Sequence, residues 1–417
     1  MSGMSRRVAR LGGLLMAMVL VAAACGDDDG GTEAGGESSD GDGARAGEVI
    51  KIGYVNNEGG ALSLPEFRVG GEIAVDLINS EGGIDGATIE LVPCIADITP
   101  EAEIDCANKL IEEDVVMAYM GIALASEAAL PLYNEAGIMY ISSNSWGEGQ
   151  KNNDQSYLTH SASGAFAVGP LVTFKELGAE NVAVILEDNP AARTFFTDII
   201  DPIAANIGVT IEAISVDPAN PDWTAAVATA QAANVDAIWG QLTEPGCIGM
   251  VTATSAVGYD KPVFAGSCSQ YIDVLGEAAI GTYNQSDLFF PDVKQYAPDE
   301  IAERLTQYEE LMTDSGNEQY INGFAVAPFS AWMQIRPFLE SIEGPITAES
   351  VQEAFDTAGT TPGWFGPDLN CGGAPWPAEQ SHCRAEIAVW QVQERDDGTI
   401  GRVLHTEFFN AFEASGL

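Results

Sequence analysis

Hydrophobic and polar positions along the chain alternate between two periods. In the stretch FRVGGEIAVDLINSEGGIDGATIELV, Gly70, Ile73, Ala74, Leu77 and Ile78 share one face at helical spacing, which predicts an amphipathic helix. Ser63 and Glu66, with Pro65 between them, predict a reciprocal cap that starts this helix near Leu64. Glu81-Gly82-Gly83 predicts its end, because glycine takes the left-handed backbone values found there. The runs VIKIGYV (49–55) before it and TIELV (88–92) after it are β-branched and apolar, and predict strands. Strand, helix, strand is a βαβ unit, which winds right-handed and builds a parallel sheet.

The alternation continues. Helices are predicted over 100–113 and 126–136, with strands over 115–121 and 138–142, and the polar stretch 152–164 reads as a loop that leaves this first lobe. A second series predicts helices over 165–177, 191–207, 224–233 and 246–257, with strands over 181–186, 210–216, 235–239 and 262–265. The stretch 281–291 is expected to cross back, and helices over 299–315, 321–342 and 348–357 to complete the first lobe. The Gly- and Pro-rich stretch 364–381 reads as irregular, and strands over 386–392 and 403–407 return to the second lobe. The fold class is therefore α/β, with two doubly wound parallel-sheet lobes joined by a three-strand hinge. Residues 48–161 and 285–362 make lobe 1, and 162–284 and 363–417 make lobe 2.

Charge narrows the partners. Against 62 Asp and Glu stand 17 Lys and Arg, a formal charge of -45, which excludes a nucleic-acid partner because phosphate neutralisation needs clustered cations. The N-terminus sets the compartment. Arg6, Arg7 and Arg10 precede an apolar run from Leu11 to Ala24, a secretory signal (residues 1–25) too short to span a membrane. Ala22-Ala23-Ala24-Cys25 looks like a lipobox, in which Cys25 becomes the lipidated first residue and anchors the protein outside the cell membrane. Ala22 stands where such boxes usually carry Leu, which leaves simple secretion as the alternative. Residues 26–47, rich in Gly, Asp, Ser and Glu, read as a disordered tether.

Six further cysteines fall as Cys94 and Cys106, Cys247 and Cys268, Cys371 and Cys383. They allow fifteen connectivities, of which local pairing is the simplest in an oxidising compartment. Each bridge would contribute on the order of 3 kcal/mol. No metal site is expected, since His160, His382 and His405 are not at ligand spacing with a CxxC. No Walker, GxGxxG or GxSxG loop is present, so the reading is a binding protein and not an enzyme, with no cofactor.

In two α/β lobes the expected site lies where the carboxyl ends of the strands face each other. On the first lobe this selects Ser126, able to start a helix whose free N–H groups hold an anion, and the run Asn144, Ser145 and Trp146. On the second it selects Asn189, Thr243, Glu244 and Ser267, each in a loop after a strand.

The run EIAVDLINSEGGIDGATIELV resembles the signature of type I periplasmic substrate-binding proteins, the Leu/Ile/Val-binding branch that serves ABC importers. VIKIGYV, ASEAALPLYNEAGI, IMYISSNS, NVAVILEDNP, DPANPDWTAAV and VDAIWGQ follow in the family's order, so the likeness spans roughly residues 48 to 410. The resemblance implies a type I periplasmic binding protein fold. It also implies a monomer that captures a small solute between its lobes and delivers it to an ABC permease. In the family's amino-acid binders, hydroxyls and backbone N–H groups of the first lobe hold the ligand carboxylate, which maps to Ser126, Asn144, Ser145 and Trp146. Trp146 replaces an expected Thr. Ala191-Ala192 stands where an aromatic residue is usual, and Ser267 replaces the acid that pairs with the ligand ammonium, a role Glu244 could assume. These departures widen the expected ligand from a branched-chain amino acid to amino-acid-like solutes, carboxylates and amides. The alternative is a ligand-sensing protein that acts with a separate membrane receptor.

Overall fold

The computed structural model describes residues 43–59, 63–123, 125–145 and 147–417. Cys25 and Trp146 lie outside them. The first run of elements is β1 (Val49–Asn57), α1 (Pro65–Ser80), β2 (Thr88–Ala96), α2 (Pro100–Glu112), β3 (Met117–Ala123), α3 (Leu130–Ala136), β4 (Met139–Ser145), α4 (Glu148–Lys151) and β5 (Ser156–Ser161). The second is α5 (Ser163–Glu176), β6 (Asn181–Glu187), α6 (Pro190–Phe195), α7 (Asp201–Ile207), β7 (Thr210–Val216), α8 (Trp223–Ala232), β8 (Ala237–Gln241), α9 (Glu244–Ala256), β9 (Val263–Phe264), α10 (Gln270–Leu275) and β10 (Tyr283–Ser286). The chain then returns through α11 (Asp299–Asp314), α12 (Val326–Glu340), α13 (Ala348–Thr357) and β11 (His382–Arg384), and ends with β12 (Glu386–Glu394), β13 (Ile400–Asn410) and α14 (Ala411–Ser415).

Two sheets result. The first has the order β11-β5-β4-β3-β1-β2 and is parallel throughout. The second has the order β13-β12-β10-β9-β8-β6-β7. It is parallel from β10 to β7, but β12 and β13 run antiparallel at its edge, a departure from the all-parallel expectation. Strands covered on both faces carry unbroken apolar runs, and Val182–Leu186 is at most 2% exposed throughout. The double glycine of the opening helix has a packing reason. A Cβ on Gly70 would lie 2.2 Å from the Ala325 carbonyl, and one on Gly71 2.2 Å from the Tyr54 hydroxyl, so the pair lets α12 and the sheet approach α1 closely. Three local disulfides form, Cys94–Cys106, Cys247–Cys268 and Cys371–Cys383.

Several expectations are corrected. The reciprocal cap at α1 does not form: Leu64 is the capping position without a side-chain bond, and the Ser63 hydroxyl instead accepts the Gly59 N–H at 3.3 Å. The stretch 152–164 contains the buried strand β5, and 281–291 contains β10. The second passage into lobe 2 lies at Ala385 and not at residue 363, because His382–Arg384 pairs with β5 in the first sheet. The tether expected to reach residue 47 ends earlier. Arg45 is 6% exposed and donates to the carbonyls of Ile342 and Gly344, beyond the carboxyl end of α12, with Asp85 at 3.1 Å. Helix carboxyl ends attract cations, which accounts for this docking.

The chain crosses between the sheets after β5, after β10 and after β11. Each of these strands is parallel to its inner neighbours, so both carboxyl edges lie on the hinge side. One residue on the second crossing, Asp287, touches the other two. Asp287 accepts from His160 Nδ1 at 2.7–2.8 Å and from the Ser161 N–H at 2.8 Å, while its carbonyl accepts from Arg384 at 3.3 Å. Burial works against its charge, but His160, Arg384 and the Ser161 N–H more than offset this and hold its pKa at about 2. That stabilisation is present at neutral pH and is lost as the pH falls from the ordinary carboxylate range towards 2. Asp287→Ala leaves His160 Nδ1 and the Ser161 N–H without their acceptor and the buried Arg384 without a neighbouring countercharge, and should lower the unfolding free energy by about 3–5 kcal/mol in urea titrations at pH 7. An unchanged midpoint would show that the crossings hold without it.

Candidate functional site

On the first lobe the strand-end residues meet in one polar cluster. Ser126 opens a single 3₁₀ turn over Ser126–Ala128, separate from α3, so the anion-holding helix expected to begin there is absent. Its hydroxyl is 1% exposed and lies 3.4 Å from Gln150 Oε1, whose amide nitrogen donates to Ser142 Oγ at 2.9 Å. Asn144 and Ser145 end the adjacent strand β4. Asn144 is half-buried and its Oδ1 accepts the Ser145 N–H at 2.8 Å, and Ser145 Oγ accepts the Gly147 N–H at 3.1 Å. The amino end of α4 already holds an acid, since the Gly149 N–H donates to Glu127 at 2.7 Å.

On the second lobe, the ends of β6, β8 and β9 stand side by side and gather the other four residues. Asn189 caps α6 by accepting the Ala192 N–H at 2.9 Å. Thr243, exposed, donates to Glu187 at 2.6 Å and so links the ends of β8 and β6. Glu244 accepts the N–H groups of Ser269 at 2.7 Å and Gln270 at 3.2 Å. Burial pushes its pKa up, and those N–H groups partly counter it. Ser267 is exposed beside Cys268, whose bridge to Cys247 ties this loop to the start of α9. Among the described residues no hydrogen bond joins the first-lobe set to the second-lobe set.

Two further residues stand at these edges: Phe324, which carries no signal in the sequence pattern, and Glu187, which opens the loop Glu187-Asp188-Asn189-Pro190 after a predicted strand. Phe324 stacks on Phe67 at 5.4 Å and is 45% exposed. The Ala325 carbonyl lies against Gly70 and Arg336 pairs with Glu81 at 2.5 Å, so α12 runs alongside α1 in the same direction, and Phe324, just before α12, stands at the carboxyl edge. A helix predicted over 321–342 hides this residue inside it; α12 starts only at Val326. Glu187, at the end of β6, is half-buried beside Thr243 and offers a carboxylate to the same edge. No described group of three or more His, Cys, Asp or Glu could hold a metal. No described helix is long and apolar enough to cross a membrane.

This geometry, two α/β lobes with polar strand ends over a three-strand hinge, is that of a solute-binding protein. The periplasmic binding protein family matches residues 49–378, and the chain belongs to it. Such proteins work outside the cytoplasm. No curated protein matches the sequence significantly. Among solved structures, a leucine binding protein from Thermotoga maritima MSB8 is similar with a TM-score of 0.68 at 16% identity, covering 87% of this chain and 99% of its own. An ABC transporter substrate-binding protein from Sphaerobacter thermophilus reaches 0.72 at 18%, covering 89% and 100%. A solute binding protein of an ABC transporter from Rhodopseudomonas palustris BisB5, in complex with 3,4-dihydroxy benzoic acid, reaches 0.67 at 19%, covering 87% and 98%.

Beneath the first-lobe edge lies a buried acid. Glu103, in the first turn of α2, is 1% exposed, with the Asn57 side-chain amide at 3.5 Å. Burial raises its pKa from 4.5 to about 7, only partly opposed by Asn57. The folded state therefore binds this proton more tightly than the unfolded chain, and stability falls as the pH rises from about 4.5 through 7. The displacement corresponds to about 3 kcal/mol. Glu103→Gln should be more stable than the parent at pH 8 by roughly that amount and lack the decline, in unfolding titrations at pH 5 and 8. Parallel pH profiles would contradict it.

Proposed function

We propose that the protein is the extracytoplasmic solute-binding component of an ABC importer. It captures a small amino-acid-like solute, or a related carboxylate or amide, between its lobes and delivers it to a permease without chemical change. The observation that carries this reading is the gathering of polar strand ends from both sheets on the side where the three crossings converge. Ser126, Asn144 and Ser145 are the groups proposed for the acceptor end of the solute, and Trp146 for its apolar or aromatic part. Glu187, Glu244, Thr243, Asn189 and Ser267 serve its donor end, and Phe324 its apolar part. The ligands named for two solved relatives, leucine and 3,4-dihydroxy benzoic acid, span this range.

Thermal unfolding of the mature protein with L-leucine, benzamide and 3,4-dihydroxybenzoate checks the reading. Stabilisation of about 2.7 kcal/mol is expected at a hundredfold excess over the dissociation constant, and no stabilisation by any of the three would sink it. Cys25 is proposed as the lipid anchor. Cys25→Ser should move the protein from the membrane fraction to the medium; retention of the variant on membranes would exclude the thioether anchor.

A further inference from the structure

Two buried histidine–carboxylate pairs sit in the hinge, and they differ in one respect. His382 is fully enclosed: its Nδ1 donates to the His160 carbonyl at 3.0 Å, and its Nε2 lies 3.2 Å from Glu379. Glu379 is spent inside the protein as well, accepting the Ser163 N–H at 2.7 Å. His160 commits only Nδ1, to Asp287. Its Nε2 has no hydrogen-bond partner among the described residues, and its side chain keeps 16% of its surface in solvent. The residue is the last but one of β5, at the carboxyl edge of the first sheet.

An imidazole whose Nδ1–H is held by a carboxylate has a fixed ring orientation and a defined direction for its second nitrogen. Here the orienting carboxylate is 3% exposed and is itself held by the Ser161 N–H. Arg384 stands on the same cluster and donates to the Thr159 carbonyl at 2.7 Å. Asp287 and Arg384 are thus committed within the protein, and the His160 Nε2 is the ring atom left for an outside partner.

We propose that His160 is a ligand contact: as the imidazolium, held through Nδ1–H by the Asp287 carboxylate, it donates its Nε2–H to a carboxylate or carbonyl oxygen of the bound solute. This rests on the solute-binding reading above and gives that site a residue at the base of the hinge. His160 belongs to the segment leaving the first sheet and Asp287 to the segment leaving the second. A solute held by Nε2 therefore bears on the joint that links the two crossings, and occupancy is coupled to the relative position of the lobes.

The test compares the parent with His160→Leu and His160→Gln by calorimetry, using L-leucine, benzamide and 3,4-dihydroxybenzoate as probes. His160→Leu should bind about tenfold more weakly or worse, the loss of one hydrogen bond to a desolvated acceptor. His160→Gln, which keeps a donor, should recover most of the affinity, a rescue that a purely structural role would not show. A second measurement uses the parent alone. Diethyl pyrocarbonate should modify His160 and spare His382, by peptide mass spectrometry, and a bound probe should protect His160. Undiminished binding by His160→Leu, or modification of His160 unaffected by a bound probe, would each overturn the proposal while leaving the solute-binding reading intact. Binding of none of the three probes by the parent would overturn both.

Discussion

The buried carboxylate of Asp287 is the constraint on which the arrangement of the lobes depends. A charge withdrawn from water is costly unless it is paired and fully hydrogen-bonded. The Asp287 carboxylate is hydrogen-bonded by His160 and the Ser161 N–H, while Arg384, bonded to the Asp287 carbonyl, adds a nearby cationic charge. His160 and Ser161 end the strand before the first crossing, Asp287 follows the strand before the second and Arg384 ends the strand before the third, so one residue draws three chain segments together. Arg384 is anchored in turn by the Thr159 and Pro367 carbonyls, and the Ser161 hydroxyl reaches the Glu386 carbonyl. The carboxyl edges of both sheets inherit their spacing from this cluster, and the candidate site is made of those edges.

The second-lobe edge shows how an acidic chain places its charges. Glu244 closes the turn before α10, Glu187 receives Thr243, and Asp188 holds the exposed Arg193 at 2.7 Å. The Cys247–Cys268 bridge keeps the loops of Glu244 and Ser267 together. The edge is therefore ordered by its own bonds, a condition that lowers the entropic cost of binding.

Long apolar runs made most of this fold legible in the sequence. Strands such as Asn181–Glu187 and helices such as Pro100–Glu112 and Ala348–Thr357 bury their apolar residues as periodicity predicts. The hinge was not legible. β5 (SYLTHS) and β10 (YNQS) are polar in composition yet buried, because hinge hydrogen bonds satisfy their side chains; a hydrophobicity pattern reads such segments as loop. The site was legible only as strand ends. Which groups remain available there depends on long-range pairings, Glu244 with the Ser269 N–H or Phe324 on Phe67, that no local spacing encodes.

The docking of Arg45 has a directional consequence. It fixes the start of the folded lobe beside Asp85 and the Ile342 and Gly344 carbonyls, at the amino edge of β1 and the far ends of α1 and α12. The solute edge is at the opposite end of the same strands. Whatever the chain carries before Gly43 is thus attached to the back of the first lobe. A pull on the chain at that point is borne by the lobe's rear wall, and the carboxyl edges of the strands stay clear of it.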